Sequence, residues 1–397
     1  MGSSGDFLEL LGDDLSIDVL RRLDDPADLV RFSSVSHSWH QFVANNGFCK
    51  KLCTRMFPEL KCCSCVVEQN NLARASQGGP SNSNEQDYNA TEHRLFARLA
   101  LELKSSIKKE DCISAAVCAS STDNDPDESI ENTLDSSDIV GQRPSYWSSK
   151  GVNDPDVPEM LTYRLCSKLC IIEEVNIHPF KAYFQIGHPI YSAEAVRFRM
   201  GFLKNPTYGL SHSEDEDAVA QRFGGDDDSF MWTYVSPKFP MMQESCLQTF
   251  KLPQPVLCIG GILQIELLGR VQKQEMDALY YICVCHVQVM GRPLPPVFDV
   301  EMLSPDLNCM LKYCPQTDCS SCPCASDEDV NPPPTRGGWL ALAARIRQSR
   351  QLGARVWSRA RFLNALLGNV PVVLDDGSSS DDDDVEEGEV HIEQVVN

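Results

Sequence analysis

The chain has 397 residues, a formal net charge of −22 at neutral pH and an apolar content of 42%. This length allows two or three domains with a sizeable core, whereas the negative charge excludes a protein that coats nucleic acid through bulk electrostatics. Its longest uncharged apolar stretch is far shorter than the roughly 20 residues of a membrane-spanning helix. Since no secretory signal is visible either, we expect the 18 cysteines to be reduced thiols of a cytoplasmic or nuclear protein.

Residues 6–60 are predicted to form three or four short helices. Asp25 followed by Pro26 is typical of a helix start, and Ser36 can cap the next helix. The apolar residues of the first helix recur at helical spacing, at Leu15, Val19, Leu20 and Leu23. A helical unit of this size is only marginally stable by itself. We therefore expect its apolar faces to pack against a partner protein.

Residues 61–111 are predicted to be a polar linker with one connecting helix at Thr91–Lys109. Residues 112–296 contain alternating apolar and polar positions, as at residues 196–202, which is the period of a half-buried strand. A second strand is predicted to place five residues on one face: Tyr281, Cys283, Cys285, Val287 and Val289. About seven such strands indicate a β-sandwich or barrel.

The C-terminal part is predicted to contain three segments. Residues 297–335 are rich in cysteine and proline, and residues 336–368 have the pattern of a basic amphipathic helix. That helix could bind an anionic membrane or nucleic acid, but we favour docking on the β-domain. Residues 369–397 form an acidic tail that we expect to be disordered, since residues 370–397 hold ten acidic and no basic residues.

The cysteines form two loose groups in the sequence. One group lies within residues 309–324 and contains the candidate zinc ligands Cys314, Cys319, Cys322 and Cys324. The other group is Cys62, Cys63 and Cys65. Because the spacing matches no known zinc-finger pattern, we favour free thiols over zinc and assign no cofactor.

No catalytic residue is assigned. The sequence contains no nucleophile elbow, phosphate-binding loop, dinucleotide-binding fingerprint or zinc-protease motif. We therefore expect a protein without catalytic activity, with a zinc- or cysteine-dependent enzyme as the least favoured hypothesis.

The helical region resembles an F-box. The resemblance rests on residues 11–23 (LGDDLSIDVLRRL), 28–31 (DLVR) and 35–39 (VSHSW), with Gly12 where the family usually has proline and Ser16 where it usually has an apolar residue. It implies binding to a Skp-type adaptor and through it to a cullin scaffold. The residues expected to contact the adaptor are Leu11, Leu15, Val19, Leu20, Leu23, Leu29, Val35 and Trp39.

The strand region is similar to galactose-binding-like domains of the discoidin type. The similarity rests on residues 118–121 (CASS), 132–135 (NTLD) and 146–151 (YWSSKG), and on a closing strand at residues 287–291. It implies a jelly-roll sandwich that binds its ligand with loops at one end. Within these motifs we expect Asp135 to be a turn residue and Trp147 to be a core residue.

The expected fold class is therefore an α+β multidomain chain. A small all-α F-box precedes an all-β jelly-roll sandwich, with a disordered linker and an acidic tail. The expected function is that of the substrate-recognition subunit of a Skp–cullin–F-box ubiquitin ligase. The alternative is an adaptor that binds a carbohydrate or a phosphorylated ligand outside ubiquitination.

Overall fold

A computed structural model describes residues 7–68, 84–105, 108–140, 143–204, 229–302 and 308–314. The helices within these residues are α1 (Phe7–Arg21), α2 (Pro26–Ser33), α3 (His37–Asn45), α4 (Phe48–Met56) and α5 (Asn84–Lys104), and short 3-10 helices lie at Pro58–Cys62 and Ile130–Leu134. No helix in the described ranges is long and apolar enough to cross a membrane. The predicted basic helix, the acidic tail and residues 205–228 lie outside these ranges.

Sixteen strands are present in the described ranges. They are β1 (Cys63–Glu68), β2 (Glu110–Asp111), β3 (Ile113–Ala119), β4 (Ile139–Val140), β5 (Arg143–Pro144), β6 (Trp147–Ser148), β7 (Glu159–Leu165), β8 (Leu169–Pro179), β9 (Ala193–Leu203), β10 (Phe230–Val235), β11 (Phe239–Pro240), β12 (Gln248–Ile259), β13 (Ile262–Arg270), β14 (Cys283–Pro293), β15 (Phe298–Met302) and β16 (Cys309–Tyr313). A small helical domain followed by an all-β sandwich, as the sequence predicts, is confirmed.

The first helices begin where their capping residues predict. The Asp25 carboxylate accepts a hydrogen bond from the backbone N–H of Ala27 at 3.0 Å, and the Ser36 hydroxyl accepts one from that of Trp39 at 3.2 Å. Helix α1 is broken at Gly12, whose φ of 71° and ψ of 167° are reached essentially only by glycine. Proline, which fixes φ near −65°, does not fit this backbone.

The core of the helical domain is completed by this chain itself. Leu20 of α1 and Leu29 of α2 are buried in one cluster with residues of α5, of β15 and β16, and of the sandwich strands β8 and β12. The α5 residues in that cluster include Leu95, Phe96, Leu99 and Leu103. The buried core of these helices therefore takes its main apolar contacts from later parts of the same sequence, and a partner protein can cover only the apolar residues that stay exposed.

The predicted linker is also more structured than its composition indicates. Strand β1 lies within it, and α5 begins at Asn84 and ends at Lys104 rather than spanning the predicted Thr91–Lys109. β1 pairs in parallel with β16, and β16 pairs with β15, so the predicted Cys/Pro-rich segment contributes two strands to the same sheet. Pairing between segments this distant in sequence leaves no local signal, so composition alone does not predict these strands.

Two antiparallel sheets form the sandwich. One has the strand order β10-β9-β13-β7-β3, with β11 paired to β9, and the other has the order β12-β8-β14-β2, with β6 paired to β14. Buried side chains from both sheets form the core between them, among them Phe198, Leu263 and Val175. The predicted alternation in β9 is confirmed, because Val196, Phe198, Met200 and Phe202 are all buried.

Strand β14 departs from its predicted pattern. Tyr281, Cys283 and Cys285 pack in a small cluster, whereas Val287 and Val289 pack in the main sandwich core. The register of β14 against β8 shifts between residues 284 and 286. Such a β-bulge inserts one residue and moves the following side chains to the other face, so the prediction of a single shared face is wrong.

The helical domain is joined to the sandwich by direct contacts. Arg292 of β14 is buried and donates hydrogen bonds to the carbonyl oxygens of Glu102, at 3.0 Å, and of Leu103. These carbonyls belong to the last turn of α5, where helical carbonyls lack a partner within the helix and carry partial negative charge. An arginine of the sandwich therefore caps α5, the helix on which α2, α3 and α4 pack.

The helical core contains a buried histidine that is expected to make stability pH-dependent. Burial, with a smaller contribution from the neighbouring His40, whose ring centre is 5.4 Å away, lowers the pKa of His93 from 6.5 to about 4. Unfolded His93 thus binds a proton more readily than folded His93, and stability should fall by on the order of 2 kcal/mol as the pH drops from 6.5 to 4. Urea unfolding across this range should show a flatter pH dependence for His93→Gln, and an unchanged slope would contradict this assignment.

Candidate functional site

An apolar surface remains exposed on the first helices. Leu15 and Val19 lie one turn apart on α1 and expose 57% and 45% of their surface, and Val35, just after α2, exposes 62%. Leu10 on the same helix is 75% exposed. Leu15 and Val19 therefore form an exposed apolar pair on α1, and exposed apolar side chains that adjoin one another are typical of a protein-binding surface.

The eight residues predicted to contact an adaptor divide by burial. Leu15, Val19 and Val35 are exposed, whereas Leu11, Leu23 and Trp39 are half-buried. Leu20 and Leu29 are 2% and 1% exposed and pack in the core of this chain. In this chain both are core residues, and their predicted contact with an adaptor stays a prediction.

Trp39 is held in place by an aromatic neighbour. Its ring centre lies 4.0 Å from that of Phe32, which packs against the helical core. Two exposed ion pairs lie on α1 and α2, with Arg31 2.8 Å from Asp28 and Arg21 3.8 Å from Asp18.

A second exposed apolar region lies on the loop between β8 and β9. Phe184 and Ile186 expose 53% and 92% of their surface. Below them Tyr146 and Phe180 are stacked, with ring centres 3.9 Å apart and an interplanar angle of 9°. The Tyr146 hydroxyl donates to Glu128 at 2.6 Å, and burial raises the pKa of that carboxyl. Sequence reasoning missed this loop, since its aromatic residues follow no strand or helix period.

The motif residues of the sandwich have structural roles. Asp135 accepts a hydrogen bond from the backbone N–H of Ser137 at 3.1 Å, as expected for a turn residue. Trp147 is completely buried and donates its indole N–H to the Ser121 carbonyl at 3.0 Å, as expected for a core residue. On β9, Arg197 forms an ion pair with Glu266 of the adjacent strand.

The structure brings together other groups of cysteines than those that are neighbours in the sequence. Of the four candidate zinc ligands, Cys314 is described and half-buried, and Cys319, Cys322 and Cys324 lie outside the described residues. Two groups of three sulfurs that could hold a metal ion occur in the described ranges: Cys62, Cys63 and Cys309 in one, and Cys112, Cys166 and Cys170 in the other. Sequence spacing alone could not reveal either group, since each joins distant segments.

Comparison with known proteins connects the helical surface to a family. A family model described as F-box-like matches residues 9–55. An F-box protein of Arabidopsis thaliana is 48% identical over 298 residues, which cover 75% of this chain and 78% of that protein. The chain belongs to the F-box protein family. The exposed residues Leu15, Val19 and Val35 of this F-box protein all lie within the matched range.

The sandwich of this F-box protein is similar to several solved β-domains. A family 32 carbohydrate-binding module of Streptococcus pneumoniae EndoD covers 45% of the chain and is itself 98% covered, with 9% identity and a TM-score of 0.30. An F5/8 type C domain from Bacteroides fragilis covers 45% of the chain and is 97% covered, with 12% identity and a TM-score of 0.29.

Proposed function

We propose that this F-box protein is the substrate-recognition subunit of a Skp–cullin–F-box ubiquitin ligase. The observation that carries the proposal is the exposed apolar surface at Leu15, Val19 and Val35, within the range that matches the F-box model. Covering these side chains with a Skp-type adaptor would remove apolar area from water, at about 25 cal/mol per Å². The adaptor would in turn connect the chain to a cullin.

The sandwich would then hold the target protein, and this chain would carry out no chemistry itself. Its contribution is effective concentration, because a target held beside the ubiquitin-charged enzyme reacts as if intramolecular. The Arg292 cap on α5 supports this role, since it joins the helical domain to the sandwich by direct contact. We place this assembly in the cytoplasm or nucleus.

Adaptor binding gives the direct test. The full chain is expected to elute with a purified Skp-type adaptor on size exclusion, and with a cullin once the adaptor is present. The double variant Leu15→Asp/Val19→Asp should weaken adaptor binding at least 100-fold, because it places two charges in an apolar contact while removing no core residue. Titration calorimetry measures the dissociation constant.

A matched control is available on another helix. Leu101 of α5 lies outside the matched F-box range and exposes 45% of its surface, as Val19 does. Leu101→Asp should therefore bind the adaptor with parental affinity. Parental affinity in Leu15→Asp/Val19→Asp, or no binding by the parent chain, would refute the proposed function.

The exposed aromatic loop supports an alternative ligand for the sandwich. Phe184 exposes 53% of its surface, and its ring centre lies 6.5 Å from that of Tyr146 and 6.2 Å from that of Phe180, so an exposed aromatic ring is available to a ligand beside a rigid stack. In this alternative the chain is a carbohydrate- or phospho-ligand-binding adaptor that acts outside ubiquitination. A glycan array probed with the full chain and with Phe184→Ala distinguishes the two, since only a lectin-like role predicts a signal that the variant loses.

A further inference from the structure

Three cysteines from distant parts of the chain meet at one end of the small parallel sheet. Cys62 ends a 3-10 helix, Cys63 begins β1, and Cys309 begins β16 directly opposite Cys63. The Sγ atom of Cys309 lies 3.3 Å from that of Cys62 and 2.7 Å from that of Cys63. All three sulfurs lie within 4.8 Å of one another. The fold thus gathers three soft ligands at one point.

A metal ion accounts for all three sulfurs, whereas a disulfide would join two of them and leave the third thiol unbound. Tetrahedral zinc holds thiolate sulfurs at about 2.3 Å, so neighbouring sulfurs lie about 3.8 Å apart. The Cys62 and Cys309 sulfurs, 3.3 Å apart, are within about 0.5 Å of that spacing, whereas the Cys63 and Cys309 sulfurs, 2.7 Å apart, would separate by about 1.1 Å on binding the ion.

The surroundings also suit a site that is closed on most sides. Cys63 and Cys309 are buried in the hydrophobic cluster of the helical domain, whereas Cys62 is half-buried. An ion can therefore reach the sulfurs past Cys62, and a water molecule can take a fourth position there. Three protein ligands plus water complete the four-coordinate geometry that zinc prefers.

We propose that Cys62, Cys63 and Cys309 form a zinc site that fastens β1 to β16. The two strands lie 246 residues apart in sequence, counted between Cys63 and Cys309. The ion would close this large loop and hold the sheet on which the F-box helices pack. Because the three cysteines meet only in the folded chain, zinc held by all of them would stabilise the fold.

Zinc content of the full chain, purified with a phosphine reductant, tests the site. Plasma mass spectrometry should show one zinc equivalent per chain fewer in Cys62→Ser and in Cys309→Ser than in the parent. Cys49→Ser is the matched control, since Cys49 is buried in the same hydrophobic cluster but lies outside the trio. It should retain the zinc content of the parent.

A second readout separates a bound ion from a folding defect. Chelation should lower the melting temperature of the parent and of Cys49→Ser but leave that of Cys62→Ser unchanged. If Cys309→Ser does not fold, Cys62→Ser still tests the site, because Cys62 is only half-buried and its replacement should leave the fold intact.

Three results would overturn the site. One is a zinc content in folded Cys62→Ser equal to that of the parent. Another is zinc that is lost in Cys166→Ser alone, which would assign the metal to the other group of three thiols. The last is a Cys63–Cys309 disulfide, identified by peptide mapping of non-reduced protein, in place of bound metal.

Discussion

Replacing Arg270 with alanine is expected to lower the free energy of unfolding by about 3 to 5 kcal/mol, because it leaves a buried carboxylate without its cation. Arg270 and Glu159 are 2% and 3% exposed and form an ion pair between β13 and β7. The guanidinium donates further hydrogen bonds of 2.8 to 3.1 Å to the Ser149 hydroxyl and to the carbonyls of Lys150, Val157 and Tyr280. All of these acceptors lose a donor in Arg270→Ala.

Urea denaturation measures the effect, and the chain offers a control of the same residue type. Arg31 forms an exposed ion pair with Asp28 at 2.8 Å, and such pairs contribute at most about 1 kcal/mol. Arg31→Ala should therefore change stability little. Arg270→Lys should fall between the two alanine variants, since lysine keeps the charge but lacks the planar fork of donors. If Arg270→Ala and Arg31→Ala behaved alike, the buried network would not have the role described.

Leu20→Ala is expected to lower the free energy of unfolding by about 2 to 5 kcal/mol, the usual range for a leucine removed from a packed core. Leu20 is 2% exposed and packs in the cluster shared by the helices, α5 and the small sheet. Leu15, five residues earlier on α1, is 57% exposed, so Leu15→Ala should change stability by no more than about 0.5 kcal/mol.

Comparison of the Leu20 and Leu15 variants separates an effect on stability from an effect on adaptor affinity. Leu20→Ala should reduce adaptor affinity only to the extent that it unfolds the helical domain, whereas changes at Leu15 should act on affinity at constant stability. Parallel urea unfolding and calorimetric titration of both variants provide the comparison. Equal stability of Leu20→Ala and Leu15→Ala would contradict the burial described for α1.

The resemblance to an F-box was accessible from the sequence because its anchors are close together. The helix starts at Asp25 and Ser36 depend on hydrogen bonds to backbone N–H groups two and three residues further along the chain. Both hydrogen bonds form as predicted. The apolar pattern does not distinguish a side chain buried in the core from one that stays exposed at the surface. Leu15 and Leu20 both fit an apolar helical stripe, and only the position of α5 and the small sheet buries one and leaves the other exposed.

The sequence by itself determined the local elements: the capped helices, the alternation in β9, and the order of a helical domain before a β-domain. Those features depend on neighbours within a few positions, and hydrogen bonding and side-chain periodicity act over that range. The tertiary structure alone decided the bulge that turns β14, the burial of Arg270 against Glu159, and the meeting of Cys62 and Cys63 with Cys309. Each of these joins segments that are far apart in the chain, and their contact exists only once the whole core has packed.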